Sequence, residues 1–274
     1  MRRTSAVSEE LEVLSSPEGV NIPLVAPLIP GGIRPGTMFV VEFDPDSQWF
    51  AVAATIAAGF YQEKRHVGYL AMVRSPEDVR DNLSALGVNV SGAEKAGLLA
   101  VQDWYSASLS GGRLETANRG SRMFDSVEGR LRVLSLKVAD LSVDWLKTSK
   151  STPDPVYDIV DHWPAGSLII VESFSSILRF NEEKAFVEWI ESRVNPAERK
   201  RKSITLQGFV RGIHSDQLYK LMENASDGVI DLRVQEKSEG TRNALRVRGL
   251  KGRPHDSQWH EIEIRSSGEA ALAD

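Results

Sequence analysis

Apolar and polar positions along the chain fall into short blocks. Thr37 to Glu42 is a compact apolar run rich in β-formers and predicts a buried strand. After the turn Asp44-Pro45-Asp46-Ser47, the segment from Gln48 to Phe60 is apolar almost all round, which predicts a buried helix. His66 to Met72 predicts a second strand. Ser75-Pro76-Glu77-Asp78 reads as a helix start: a hydroxyl N-cap, proline at the first helical position and acids in the first turn. Val79, Leu83 and Leu86 give that helix an apolar face, and Gly87 stops it. Leu98 to Val101 predicts a third strand.

Gly111-Gly112 marks a flexible loop. An amphipathic segment then runs from about 120 to 146, and a polar break covers 149–155. Ser167 to Glu172 is the cleanest buried strand. A helix over 182–194, a strand over 204–209 and a short helix over 215–223 follow. The rhythm then turns to strands, at 228–235, 244–250 and 259–264. Alternating strands and helices closed by a run of strands predict an α/β fold: a mostly parallel central sheet between helices, with antiparallel strands at the C-terminal end. Residues 1–20 read as a polar, loose lead-in. Pro23, Pro27, Pro30, Pro35 and their glycines punctuate a loop, and residues 21–274 are expected to form one domain.

Composition changes this picture little. Of 274 residues, 41% are hydrophobic and 26% charged, as in an ordinary globular protein. The absence of cysteine removes disulfides, zinc–thiolate sites, iron–sulfur clusters and thiol nucleophiles. Met1-Arg2-Arg3 is followed by polar residues, which argues against a secretory or import leader. The longest apolar run has about 12 residues, short of the ~20 that span a bilayer. A cytoplasmic protein without membrane contact is expected. The net charge of −5 divides unevenly: residues 1–198 carry 19 cations and 27 acids (−8), residues 199–274 carry 14 and 11 (+3).

Five stretches, in order, carry a resemblance. They are Pro30-Gly31-Gly32-Ile33-Arg34-Pro35-Gly36-Thr37 leading into a strand; Val67-Gly68-Tyr69-Leu70 with Ser75-Pro76-Glu77-Asp78 and Leu86-Gly87; Leu168 to Ser173; Ala225 to Leu232; and Gly252-Arg253-Pro254-His255-Asp256. In this order the chain resembles the RecA superfamily, and its KaiC-like branch in particular. The resemblance implies a RecA-like three-layer fold, a phosphate loop after the first strand, a Walker B acid at Glu172 and head-to-tail assembly.

The chemistry departs from that pattern. A working phosphate loop reads G-x-x-x-x-G-K-[ST], so that backbone N–H groups and the lysine meet phosphate and the hydroxyl meets Mg²⁺. Matching positions here run from Phe43 to Phe50. Phe43 and Gln48 stand for the glycines, Trp49 for the lysine and Phe50 for the hydroxyl. Pro45 has no N–H, and Asp44 and Asp46 would face the phosphates. Val73-Arg74 occupy the place of the family's paired glutamates, Glu172 replaces the usual aspartate, and Gly249-Leu250-Lys251 replaces a Lys-x-Arg pair.

The chain is therefore expected to be a pseudo-ATPase without cofactor or metal ion. It would act as a scaffold or regulator through protein contacts, as a homo-oligomer or beside an active KaiC-like paralogue. Two further readings stay open: a residual ATP-binding regulator, and a recombinase-like accessory protein holding DNA.

Blander roles accompany each residue. Asp46 or Ser47 would cap the following helix. Trp49 and Phe50 would fill the space vacated by phosphate, and Glu172 would pair with an arginine or lysine. Asp44-x-Asp46-x-Gln48 lacks the glycine and glutamate of a Ca²⁺ loop. His255, Asp256 and His260 belong to a turn. Arg246, Arg248, Lys251 and Arg253 are candidate interface cations, able to reach a neighbour's Asp44 and Asp46. Arg199-Lys200-Arg201-Lys202 reads as a solvated loop, with nucleic acid as the alternative partner.

Overall fold

The computed structural model describes residues 19–106, 163–179, 181–238 and 240–273. The expected glycine loop at Gly111-Gly112, the amphipathic segment at 120–146, the polar break at 149–155 and most of the lead-in lie outside the described residues.

One nine-stranded sheet organises the described residues, in the order β3-β2-β4-β5-β1-β6-β7-β8-β9. Its strands are β1 (Met38–Phe43), β2 (Val67–Ala71), β3 (Leu99–Asp103), β4 (Leu168–Val171), β5 (Ile204–Val210), β6 (Gly228–Lys237), β7 (Gly240–Leu250), β8 (His260–Ile264) and β9 (Ala270–Leu272). All pairings from β3 through β6 are parallel, and the β6–β7, β7–β8 and β8–β9 pairings are antiparallel. This is the mostly parallel sheet, extended by antiparallel strands at the C-terminal end, that the alternation predicts. Strands β1, β2 and β4 are buried along their whole length because both faces of the sheet are covered, with Glu42 the one charged residue among them.

On one face lies α1 (Trp49–Gln62), with α2 (Pro76–Ala85) and α3 (Val90–Lys95) beside it. Ser75 caps α2 as predicted, its Oγ accepting the Asp78 amide, and the Asp78 carboxylate adds a return bond by accepting the Ser75 amide. On the other face lie α4 (Ser175–Leu178), α5 (Glu183–Trp189), α6 (Asn195–Arg201) and α7 (Asp216–Ala225). The second core there is aromatic, built around Phe174, Phe186 and Phe209.

The proline-rich segment is a loop, as its prolines predict, but a buried one: Ile22, Val25, Leu28, Ile29 and Ile33 are all buried, and Val20 bridges Ile33. Its apolar residues close one end of the core between the prolines. Two other readings need correction. The helix predicted over 182–194 continues to Arg201 through a π-helical turn, Ile190–Val194. Pro196 has no N–H to give Ser192, and the wider turn absorbs that missing bond. The run Arg199 to Lys202 is accordingly the last turn and C-cap of α6, with Lys202 at φ 57°. Small helices α3 and α4 and the edge strand β9 are additional to the sequence reading. Among the described residues no helix is long and apolar enough to cross a membrane.

Candidate functional site

In open parallel sheets the crevice beyond the carboxyl ends of the strands is where ligands sit. Here that edge gathers the β1–α1 connection, the segment after β2, the end of β4 and the loop after β5.

Phe43 closes β1 in the core, stacked on Trp49 at 5.7 Å between ring centroids, with Phe50 edge-on at 6.2 Å. The Trp49 indole is buried and donates Nε1–H to the Glu172 carbonyl at 2.8 Å. Its approach depends on Gly208, where an added Cβ would stand 2.3 Å from that same carbonyl and 3.1 Å from the indole nitrogen. Phe50 is half-buried, with the Arg74 guanidinium 4.7 Å from its ring centroid.

The loop between these aromatics is tied down by internal bonds. The Asp44 carboxylate accepts the Val234 amide at 3.0 Å and lies 3.4 Å from Arg211. The Asp44 carbonyl accepts from both the Ser47 amide and its hydroxyl. The Gln48 amide donates to Asn243 Oδ1 at 2.9 Å. Asp46 is exposed. Neither Asp46 nor Ser47 caps α1: Gln48 occupies the N-cap without a side-chain bond, because the Ser47 hydroxyl points back to Asp44.

Glu172, fully buried at the end of β4, is the most densely bonded group of the edge. Oε2 accepts the amides of Met72, Val73 and Arg74 at 2.9, 2.7 and 3.2 Å. Oε1 accepts Arg74 Nε at 2.7 Å and lies 3.4 Å from the Tyr69 hydroxyl. Arg74 also donates to that hydroxyl at 2.9 Å. Burial, then the Glu172 charge, holds the Tyr69 phenol far above its ordinary pKa. Burial presses Arg74 the other way, but Tyr69 and Glu172 outweigh it and its pKa is raised. Two strands away in the sheet from β2, Gln207 of β5 is fully buried with neither amide atom hydrogen-bonded among the described residues.

The late cations divide into two places. Glu42 and Asp231 are register partners on β1 and β6, and Asp231 in turn faces Arg246 on β7. Arg246 and Arg248 lie on this same sheet face. Arg246 pairs with Asp231 at 2.8 Å and lies over the Trp259 ring at 4.4 Å. Arg248 reaches Glu42 at 2.8 Å and Glu223 of α7 at 2.7 Å, and Arg233 reaches Asp231 at 2.8 Å. Burial, followed by a hydrogen bond with Glu223, raises the Glu42 pKa against the pull of Arg248. Lys251 and Arg253 sit instead at the opposite, amino-terminal edge. Lys251 Nζ donates to the Asn224 carbonyl at 2.6 Å, and Arg253 lies 3.4 Å from the Gly31 carbonyl.

Sequence reasoning missed one constellation because its members are distant in the chain. His214 Nε2 lies 2.8 Å from Ser175 Oγ, and Nδ1 lies 3.8 Å from Glu183. These are the residue types of a nucleophile relay. Ser175, however, is buried, and its oxygen already accepts the Val210 amide. The trio pins the loop after β5 to α4 and α5. Burial holds the His214 pKa down, with Glu183 pulling against it. Of the other histidines, His260 pairs with Asp256 at 3.0 Å within its turn. Among the described residues no group of three or more His, Asp or Glu side chains is placed to hold a metal ion.

No family model matches the sequence, and no curated protein matches it. The fold does match: a KaiC-like protein of the hyperthermophilic archaeon Pyrococcus horikoshii superposes with a TM-score of 0.64. The match covers 92% of this chain and 96% of that one at 18% identity, which establishes likeness of fold.

Proposed function

We propose that this chain is a non-hydrolysing relative of the KaiC-like RecA-fold proteins, acting as a scaffold or regulator through protein contacts. The observation that carries the reading is the state of Glu172. The acid at the Walker B position is fully buried and takes five internal donors, three of them backbone amides. A metal ion there would have to strip a buried carboxylate of bonds that its burial makes costly to lose.

The β1–α1 loop supports the same reading. A phosphate cradle needs free amides and a cation. Here Pro45 has none to give, the Ser47 and Gln48 amides are directed to Asp44 and Asn243, and Trp49 fills the lysine's place. Asp44 and Asp46 add repulsion of roughly 4 kcal/mol each at ~4 Å and an effective dielectric of ~20, before screening.

The partner is a second copy or a catalytically active paralogue, docked head to tail, so that two different faces meet. Val73 and Ile213, two of the large apolar side chains left exposed, stand on the carboxyl edge and suit one face. Lys251 is the exposed member of the candidate cations and suits the other, since Arg246 and Arg248 are engaged within their own chain. Light scattering tests this. The account expects a mass of at least two chains, alone or with the paralogue, reduced by Ile213→Glu and separately by Lys251→Glu. A monomeric mass throughout, or assembly indifferent to both substitutions, contradicts it.

A further inference from the structure

The basic run Arg199 to Lys202 is not used by the reading above, and the fold gives it neighbours that the sequence separates. Three segments meet at the amino-terminal edge of the parallel strands. The Gly36 amide donates to the Ser203 carbonyl at 3.0 Å, which sets Arg34 and its loop beside the end of α6. Asp227 joins the other two. Its carboxylate pairs with Arg199 at 3.0 Å, and its carbonyl accepts the Lys251 amide at 2.8 Å. Arg253 reaches the Gly31 carbonyl across the same edge.

The three segments, 30–37, 199–203 and 250–254, carry seven cationic side chains and no acid. Of the carboxylates adjoining them, Asp227 is held by Arg199 and by the Met38 amide, Glu198 is buried and bonded to Thr205, and Asp256 is bonded to His260 and the Gln258 amide. Burial raises the Glu198 pKa against the pull of Thr205 and Arg201. Arg34, Lys200 and Lys202 are exposed, and none has an acidic partner among the described residues. A protein of net charge −5 thus presents one edge of concentrated positive charge.

Helix termini attract cations at their carboxyl end, and that accounts for Arg199 and Lys200 on α6 alone. It does not account for Arg34 or Lys251, which arrive from other elements. The centre of a docking surface is apolar, so the protein contact proposed above takes Lys251 as a rim cation and leaves Arg34, Lys200 and Lys202 unused. Among the described residues the exposed large apolar side chains are Val73, Ile213, Trp259 and Ile264, and none lies in these segments. What remains is a surface that meets charge without reading shape or sequence, which is how cations contact a phosphodiester backbone.

We infer that this edge binds the phosphate backbone of nucleic acid, without sequence preference, through Arg34, Lys200 and Lys202. The absence of exposed aromatics there argues against base stacking, so duplex and single strand should bind alike.

The test is fluorescence anisotropy of a labelled DNA duplex and a labelled single strand, titrated with the full chain. Binding is expected near about 50 mM salt, falling roughly 40-fold by about 200 mM, as three phosphate contacts require. The combined change Arg34→Glu, Lys200→Glu, Lys202→Glu should abolish binding while circular dichroism stays unchanged and melting falls by only a few degrees, the cost of two acids at the carboxyl end of α6. No binding of either DNA at low salt overturns the inference. So does binding that survives the triple change. Capture of poly-glutamate in preference to DNA overturns it as well, and assigns the edge to an acidic protein.

Discussion

At the residue scale, the pairing of Arg74 with Glu172 decides how the carboxyl edge behaves. Three backbone amides cannot by themselves neutralise a fully buried carboxylate, and Arg74 supplies the counter-charge at 2.7 Å. Its guanidinium is in turn fixed over Phe50 and against Tyr69. Removing one partner of a buried pair leaves the other uncompensated. Arg74→Ala is therefore expected to lower stability by about 3 kcal/mol, read as a shift of the urea midpoint with an unchanged slope. A change below about 0.5 kcal/mol would mean that the amides alone satisfy Glu172. The residue types here were legible in the sequence: an acid at the end of a buried strand, read as needing an arginine or lysine. Which cation answers it was not legible, because 98 positions separate the two and only the β2–β4 pairing closes that distance.

At the element scale, β4, β5 and α1 are held together by a contact that only glycine permits. Gly208 lets the Glu172 carbonyl approach, and that carbonyl holds the Trp49 indole. Gly208→Ala should push β4 from β5 and break the indole bond, a loss of about 3 kcal/mol. Gly249→Ala is its control: the added methyl meets nothing within 4 Å, and the melting temperature should stay within a degree or two of the parent. Thermal melts of both variants measure this; equal effects would show that crowding at Gly208 is relieved elsewhere. The strands and α1 were readable because apolar runs of those lengths have few other solutions. Helix α6 was not, since Val194-Asn195-Pro196 reads as a stop and the π-turn that carries the helix through it depends on packing of Ile190 and Val194. That error hid the setting of the basic run as well.

Across the whole molecule, charge is sorted by edge. The uneven split of charge along the chain anticipated a basic C-terminal part, but the fold divides that part further. Arg246 and Arg248 neutralise Glu42, Asp231 and Glu223 across the sheet, while Lys251 joins the amino-terminal edge. Sequence spacing could not separate these roles, because a few residues along β7 span the distance from the sheet's interior to its end. The opposite, carboxyl edge gathers Trp49, Phe43 and the Arg74–Glu172 pair, and the proposed reading is that these leave no place for a nucleotide. Titration calorimetry of the purified chain with ATP and Mg²⁺ addresses this directly. The account predicts no saturable heat at affinities tighter than about 1 mM; saturable binding in the micromolar range, lost on Glu172→Gln, would show that the edge still holds a nucleotide and its metal.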